Sequence, residues 1–295
     1  MMISNGSRNT RSIIRWALYP MSWILVLSII DQYLVGNIEA GSAWLINASV
    51  LAPLYFIIEW RFPYQKRWAM TLASFFKDLK YVVVNSSFMS AVSASLALFT
   101  ISLSGNTQGW ASSWPLPVQI VLCFLIFEAI NYSLHRAMHE HRGKLGKILW
   151  KIHAAHHLPP RLYLVMHAVF HPLNSLLIQP LAIILPVWLM GYDQKTVTIF
   201  LLVMGMHGLI SHFNVDIRMG WFNYLFVGNE VHRYHHSADV HEAKNYGAML
   251  TVYDQLFGTF VYKPGVPPDN LGVSESAALP DYGQTLKVLK LPFTG

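Results

Sequence analysis

The chain has 295 residues, 54% of them hydrophobic and 12% charged, with a formal net charge of +6 and a mean hydropathy of +0.36. Soluble domains carry about 25% charged residues, so the length does not read as two ordinary soluble domains, and disordered, collagen-like and acidic-tail classes are excluded. A single cysteine, Cys123 in VLCFLIF, excludes an intramolecular disulfide and a thiolate metal cluster; the basic residues flank apolar runs, which favours a membrane surface over nucleic acid.

Four long apolar stretches come first, at about 16–35, 43–59, 81–103 and 115–133, each near the ~20 residues a helix needs to cross the hydrocarbon core. Asp31, Asn47 and Glu59 are the few polar intrusions. The first stretch ends in DQYLVGN without a small-residue cleavage pattern, so it is expected to remain as an anchor. Arg8, Arg11 and Arg15 precede it, and Arg61, Lys66, Arg67, Lys77 and Lys80 lie between the second and third stretches. The connections after the first and third hold only Glu39 and no charge, respectively. By the positive-inside rule the N-terminus and the chain leaving the fourth span are expected in the cytoplasm. Two further apolar stretches, 173–190 and 197–210, are joined by GYDQK and read as a membrane hairpin broken by Pro180 and Pro186. After Phe260 the Pro- and Gly-rich sequence reads as an exposed tail. The expected fold is all-α: a polytopic membrane helical bundle with a cytoplasmic histidine-rich helical cap. Residues 1–134 form the transmembrane region, 135–263 the histidine-rich region that includes the hairpin, and 264–295 the tail.

All 14 histidines fall between His135 and His241. Three clusters stand out: His135 with His139; His153 with His156 and His157; His232 with His235 and His236. Spacings of three and four place each cluster on one helical face. Neutral imidazole suits iron, copper, nickel and zinc, and eight donors exceed what one ion takes, so two metal ions are the simplest inference. The hairpin would return every histidine segment to one membrane face.

The order HxxxH, HxxHH, HxxHH on a polytopic membrane protein resembles the fatty acid hydroxylase superfamily, also called the sterol desaturase family. LWKIHAAHH, FHPLNSLL and HRYHHSADVHEAKNYGAMLTVYDQLFGTF carry the resemblance, over about residues 124–264. The last segment is also similar to alkylglycerol monooxygenase and its bacterial relatives. The resemblance implies that His135, His139, His153, His156, His157, His232, His235 and His236 hold two iron ions. Further histidine is expected from the helix before the last motif, where His212 is the first choice and His207 the second, since five residues turn a helix by about 140°. Glu128 lies two turns before His135 and is expected to orient a ligand imidazole. Asn245, with Asp254, is expected to serve the site by hydrogen bonding. His171 before Pro172 either starts a helix or ligates; His167 and His241 read as peripheral and His141 as solvated.

The activity so implied is O2-dependent hydroxylation or desaturation of a membrane lipid, whether fatty acyl, sterol or other. No GxGxxG, CxxCH or iron–sulfur cysteine set occurs, so electrons are expected from a cytochrome b5-like or ferredoxin-type donor. A membrane zinc hydrolase would ordinarily carry HExxH, which is missing here. A metal transporter would place its ligands within the spans, and a bis-histidine haem protein needs only one histidine pair per haem.

Overall fold

The computed structural model describes residues 5–103, 109–140, 142–274 and 279–294. Its helices are α1 (Asn5–Leu34), α2 (Ala40–Arg61), α3 (Leu72–Leu103), α4 (Leu116–Glu140), α5 (Gly143–His157), α6 (Pro172–Ile178), α7 (Leu185–Met190), α8 (Gln194–Ser211), α9 (Asn229–His235), α10 (Val252–Leu256) and α11 (Thr285–Lys290). Two isolated bridges, Phe226–Leu250 and Ser237–Leu271, are the β-type pairing among the described residues. The fold is therefore all-α, as the sequence predicts. Arg8–Leu34, Ala40–Arg61, Leu116–Glu140, Pro172–Met190 and Gln194–Ser211 are each long and apolar enough to cross a membrane. The expected third span falls in α3, where the side chains of residues 91–103 lie outside the described residues, as does His141.

The chain packs as two compact units. One comprises residues up to Met70, Pro160–His167 and Thr198–Gly272; the other comprises Thr71–Pro159, Ala168–Val197 and the segment from Val273.

In the first unit, α2 shows how a membrane helix is held without an amphipathic pattern. Its buried residues, Ala43, Asn47, Leu51, Tyr55 and Glu59, recur every fourth position and form one stripe. Three of them are polar and each finds a partner: Asn47 Nδ2 donates to Leu202 O, Tyr55 Oη to Ser22 Oγ, and Glu59 accepts from backbone N–H groups. Hydrocarbon offers no water to such groups, so internal pairing is obligatory. The remaining circumference exposes Trp44, Leu45, Val50, Leu54, Ile57 and Trp60, apolar bulk suited to lipid, with a tryptophan near each end.

In the second unit, α4 buries Gln119, Cys123, Phe127, Glu128, Asn131, Tyr132 and Met138 along one side. Gln119 Oε1 accepts from Asp193 N and Thr196 Oγ1 and so pins the turn before α8. Pro180 and Pro186 do not break the 173–190 stretch. A π-helical segment, Gln179–Ile184, links α6 to α7, and Leu185 N–H reaches back five residues to Pro180 O. The wider turn absorbs the donor that each proline removes and keeps the helix running. The segment after Pro264 also departs from an exposed tail: Tyr282, Val288 and Leu291 are buried with Tyr81, Ala155 and Val169, and Tyr81 Oη donates to Tyr282 O. Pro and Gly content signalled the turns there but not the apolar residues that follow them.

Candidate functional site

The second unit holds one imidazole cluster. His135 and His139 stand one turn apart at the end of α4, and His153 and His157 one turn apart at the end of α5. Their donor atoms lie within 4.8 Å of one another. His153 is central: its Nε2 is 3.0 Å from His135 Nε2 and 2.9 Å from His157 Nε2. On the far side of its ring, Nδ1 sits 2.9 Å from Asn174 Oδ1, in the first turn of α6. That acceptor puts the proton on Nδ1 and leaves the Nε2 lone pair facing the cluster. Burial, and then the neighbouring His135, His139 and His156, holds His153 well below the usual imidazole range, so it is neutral at pH 7. His156 is fixed likewise, with Nδ1 donating to Val169 O at 3.0 Å and its ring stacked 4.3 Å from Phe170.

The first unit holds another cluster, of His212, His232 and His236, again within 4.8 Å. His232 Nε2 lies 3.1 Å from His212 Nε2 and 3.2 Å from His236 Nε2. Ser211 Oγ donates to Gly208 O at 2.9 Å, so it accepts from His212 Nδ1–H at 2.9 Å. His235 Nδ1 donates to Lys244 O at 2.9 Å. One face of α9 carries these histidines while the other is fastened down. Asn229 Nδ2 and Arg233 Nη2 donate to Val215 O at 2.8 and 2.6 Å, and Glu230 accepts from Arg218, Met219 N and Asn223. Burial pulls Arg233 down to about 10, still charged at neutral pH, and its guanidinium lies 4.5 Å over the Tyr64 ring.

In each cluster several imidazole nitrogens converge, and one ring is tied on its outer side: His153 to Asn174 in one and His212 to Ser211 in the other. Converging nitrogen lone pairs repel unless a cation or shared protons lie among them, and this donor set fits a borderline metal ion such as iron or zinc. Asn174→Ala is expected to weaken metal retention about 10–100-fold by freeing the His153 ring, measured by metal content after dialysis against a chelator.

Other predicted residues land elsewhere. His207 is not brought to the cluster: five residues from His212 it turns away, and its ring packs 4.9 Å from Phe226 and 5.7 Å from Trp23. Asn245 is a backbone clamp instead of a catalytic group. It adopts φ +60°, its Nδ2 donates to Val231 O and Val261 O, and its Oδ1 accepts from Val261 N. It thereby fixes the loop whose Lys244 carbonyl orients His235. Asp254 acts similarly, accepting from Tyr246 N, Gly247 N and Thr259 Oγ1. Glu128 is fully buried on α4. His171 starts a helix: Nδ1 accepts from Leu173 N and Nε2 donates to Leu289 O. His241 is exposed.

His167 is less peripheral than its sequence suggests. It is half-buried, 5.4 Å from the His212 ring, and rests on the bare backbone at Gly208, where an added Cβ would meet His167 Cε1 at 2.6 Å. Gly208→Ala is expected to cost about 1–3 kcal/mol through that overlap, read from thermal unfolding. Burial also holds the His167 imidazole down from 6.5 to about 4. The unfolded chain then takes up a proton below pH 6.5 that the folded chain refuses. Stability is complete above that value and is lost as pH falls toward 4, by up to about 3 kcal/mol for the metal-free protein. Unfolding temperatures at neutral and acidic pH, compared with His167→Asn, measure this share.

Sequence reasoning did not single out Asn174, Ser211, Arg233 or the role of Glu59. Ser211 carried a signal, as a polar residue directly before His212 in an apolar run.

Imidazole clusters that could hold metal, in a chain with five helices long and apolar enough to cross a membrane, define a class of integral membrane protein with a candidate metal centre. Residues 120–259 match the family profile described as fatty acid hydroxylase, and similar proteins support that superfamily. Ornithine lipid hydroxylase OlsE of Rhizobium tropici is 29% identical over 288 residues, covering 94% of this chain and 84% of that protein. Fatty acid hydroxylase vlmA of a Lecanicillium species is 28% identical over 188 residues, 58% of this chain and 48% of that one. Very-long-chain aldehyde decarbonylase GL1-10 of Oryza sativa subsp. japonica is 26% identical over 155 residues, 49% of each chain. No solved structure matches. The family and these relatives support an oxidoreductase of the lipid hydroxylase class.

Proposed function

We propose that the protein is an O2-dependent hydroxylase of a membrane lipid, holding two iron ions on imidazole. The observation that carries this reading is the pair of clusters whose ring nitrogens converge, with the outer nitrogen of His153 tied to Asn174 and that of His212 to Ser211. His135, His139, His153 and His157 would hold one ion, and His212, His232 and His236 the other; His156 and His235 complete the set of eight motif histidines. Bound iron supplies the capacity to activate O2 for attack on an unactivated C–H bond. The chain's residues keep the ligand imidazoles neutral and oriented, with Asn174, Ser211, Val169 O and Lys244 O holding their outer protons, and Glu128 assisting from α4. Burial excludes water that would dissipate the oxidant.

The balance is one lipid C–H, one O2, two electrons and two protons giving a lipid alcohol and water. The electrons come from outside, from a cytochrome b5-like or ferredoxin-type donor at the cytoplasmic face, where the N-terminus and the histidine motifs are also placed. Residues 1–134 anchor the enzyme and present the lipid; residues 135–263 oxidise it. Because the ornithine lipid hydroxylase aligns along nearly the whole chain, the substrate favoured here is an acylated amino acid lipid.

The test is lipid mass spectrometry of cells with and without the protein under 18O2, beside metal analysis of anaerobically purified protein. An aminolipid heavier by one labelled oxygen, with iron bound, is expected. Loss of two hydrogens would replace hydroxylation by desaturation. Zinc without iron, and no lipid change, would overturn the reading.

A further inference from the structure

The second unit presents an outward face with no partner and an unusual composition. It begins where α4 ends: only two residues separate Glu140 from Gly143, so the start of α5 lies within roughly 10 Å of the end of a membrane-length helix. Along α5, Lys144, Lys147, Ile148 and Lys151 recur at three- and four-residue steps and share one face with Leu145 at its edge. Gly146, His153, Ala154 and His157 are buried on the other. The C-terminal segment is fastened to α5, since Val288 and Leu291 pack with Ala155 and Lys151 Nζ donates to Thr294 O. It adds Leu286, Lys287, Lys290 and Phe293 to the exposed surface.

Two properties of this face are otherwise hard to reconcile. Leu145, Leu286 and Phe293 are 57%, 74% and 75% exposed, an apolar load that water penalises. Around them stand Arg142, Lys144, Lys147, Lys287 and Lys290, all exposed, and neither 142–157 nor 282–294 contains an acidic residue. Large apolar side chains ringed by lysine suit the boundary between headgroups and acyl chains of an anionic bilayer, where the apolar groups enter and the ammonium groups meet phosphate. An acidic soluble protein would satisfy the lysines equally. The short connection from α4 decides between them, because it ties this face to the membrane edge before any partner arrives.

We propose that the face made by the first half of α5 and residues 285–294 docks on the surface of an anionic lipid bilayer. Docking needs neither the metal nor the substrate, so it stands apart from the catalytic reading. Because α5 also carries His153, His156 and His157, docking sets the depth of one imidazole cluster relative to the acyl chains.

The test uses the full chain in nanodiscs of phosphatidylcholine with or without phosphatidylglycerol. Leu145→Cys and Leu286→Cys take a bimane label, the native Cys123 being buried. Phosphatidylglycerol is expected to shift the emission to the blue and to raise quenching by nitroxide-bearing lipids at least about threefold. Reversing Lys144, Lys147 and Lys287 to Glu together should abolish that increase. The lipid comparison within each labelled protein needs no charge variant, so a misfolded reversal does not cost the test. Equal access of aqueous iodide to both labels in both bilayers would overturn the proposal. So would quenching that charge reversal leaves unchanged in a folded variant, or protection that arises only on adding a soluble acidic protein.

Discussion

Replacing His153 with alanine is expected to lower lipid oxidation by at least about a thousandfold, because this imidazole cannot be spared by its neighbours. Its Nε2 is the point where His135 and His157 approach, at 3.0 and 2.9 Å, and its Nδ1 links the cluster to Asn174. Alanine would leave the remaining imidazoles without their central donor. His232→Ala should do the same to the cluster of the first unit, since His232 Nε2 lies between those of His212 and His236. Under the two-iron reading each single change removes about one iron per chain, and the double change is scarcely slower than either alone, because residues acting as one unit are not additive. The measurements are iron per polypeptide, labelled-oxygen incorporation into lipid, and resistance to alkaline extraction. The last should be normal, as neither histidine lies in a membrane-length helix. Full activity in either variant would mean that the converging nitrogens serve packing alone.

The grouping of these histidines was legible because the signal is local. A repeat of three and four residues along a helix needs no knowledge of the fold, so HxxxH and HxxHH announce shared faces in the sequence itself. His212, expected from its place before the last motif, lies in a cluster, while His207, five residues earlier, packs on Phe226. The groups that hold the ligands were not legible, because their partners are remote: Asn174 lies 21 residues from His153, and Arg233 reaches Val215 O across 18 residues. The hairpin prolines misled for another reason. Propensity predicts the cost of proline in an α-helix but not the widened turn that avoids it. In the C-terminal segment, loop composition masked Tyr282, Val288 and Leu291, whose burial depends on α3 and α5 being in place to receive them.

Glu59→Ala is the change away from the histidines expected to do most damage, and the sequence marks that residue only as a polar intrusion in a span. Its carboxyl group is buried at the end of the α2 stripe and accepts from Asn214 N at 2.7 Å and from Leu164 N at 3.0 Å. These two amides belong to segments 155 and 105 residues away. Asn214 follows His212 by two residues and is itself clasped by Gln65, whose N–H donates to its Oδ1 and whose carbonyl accepts from its Nδ2. Leu164 opens the short helical turn that carries His167. Alanine would strand two buried backbone donors at once, a loss of about 3–5 kcal/mol, or roughly 10 °C in unfolding temperature. Glu59→Gln keeps an acceptor oxygen toward both amides and should cost only about 1 kcal/mol. If the damage is transmitted through Asn214, metal held by His212, His232 and His236 should fall with stability in the alanine variant and persist in the glutamine one. Unfolding curves and metal content of the two proteins in detergent measure both effects. Equal loss in both variants would instead assign the role to the charge of Glu59, acting with the buried Arg233 guanidinium.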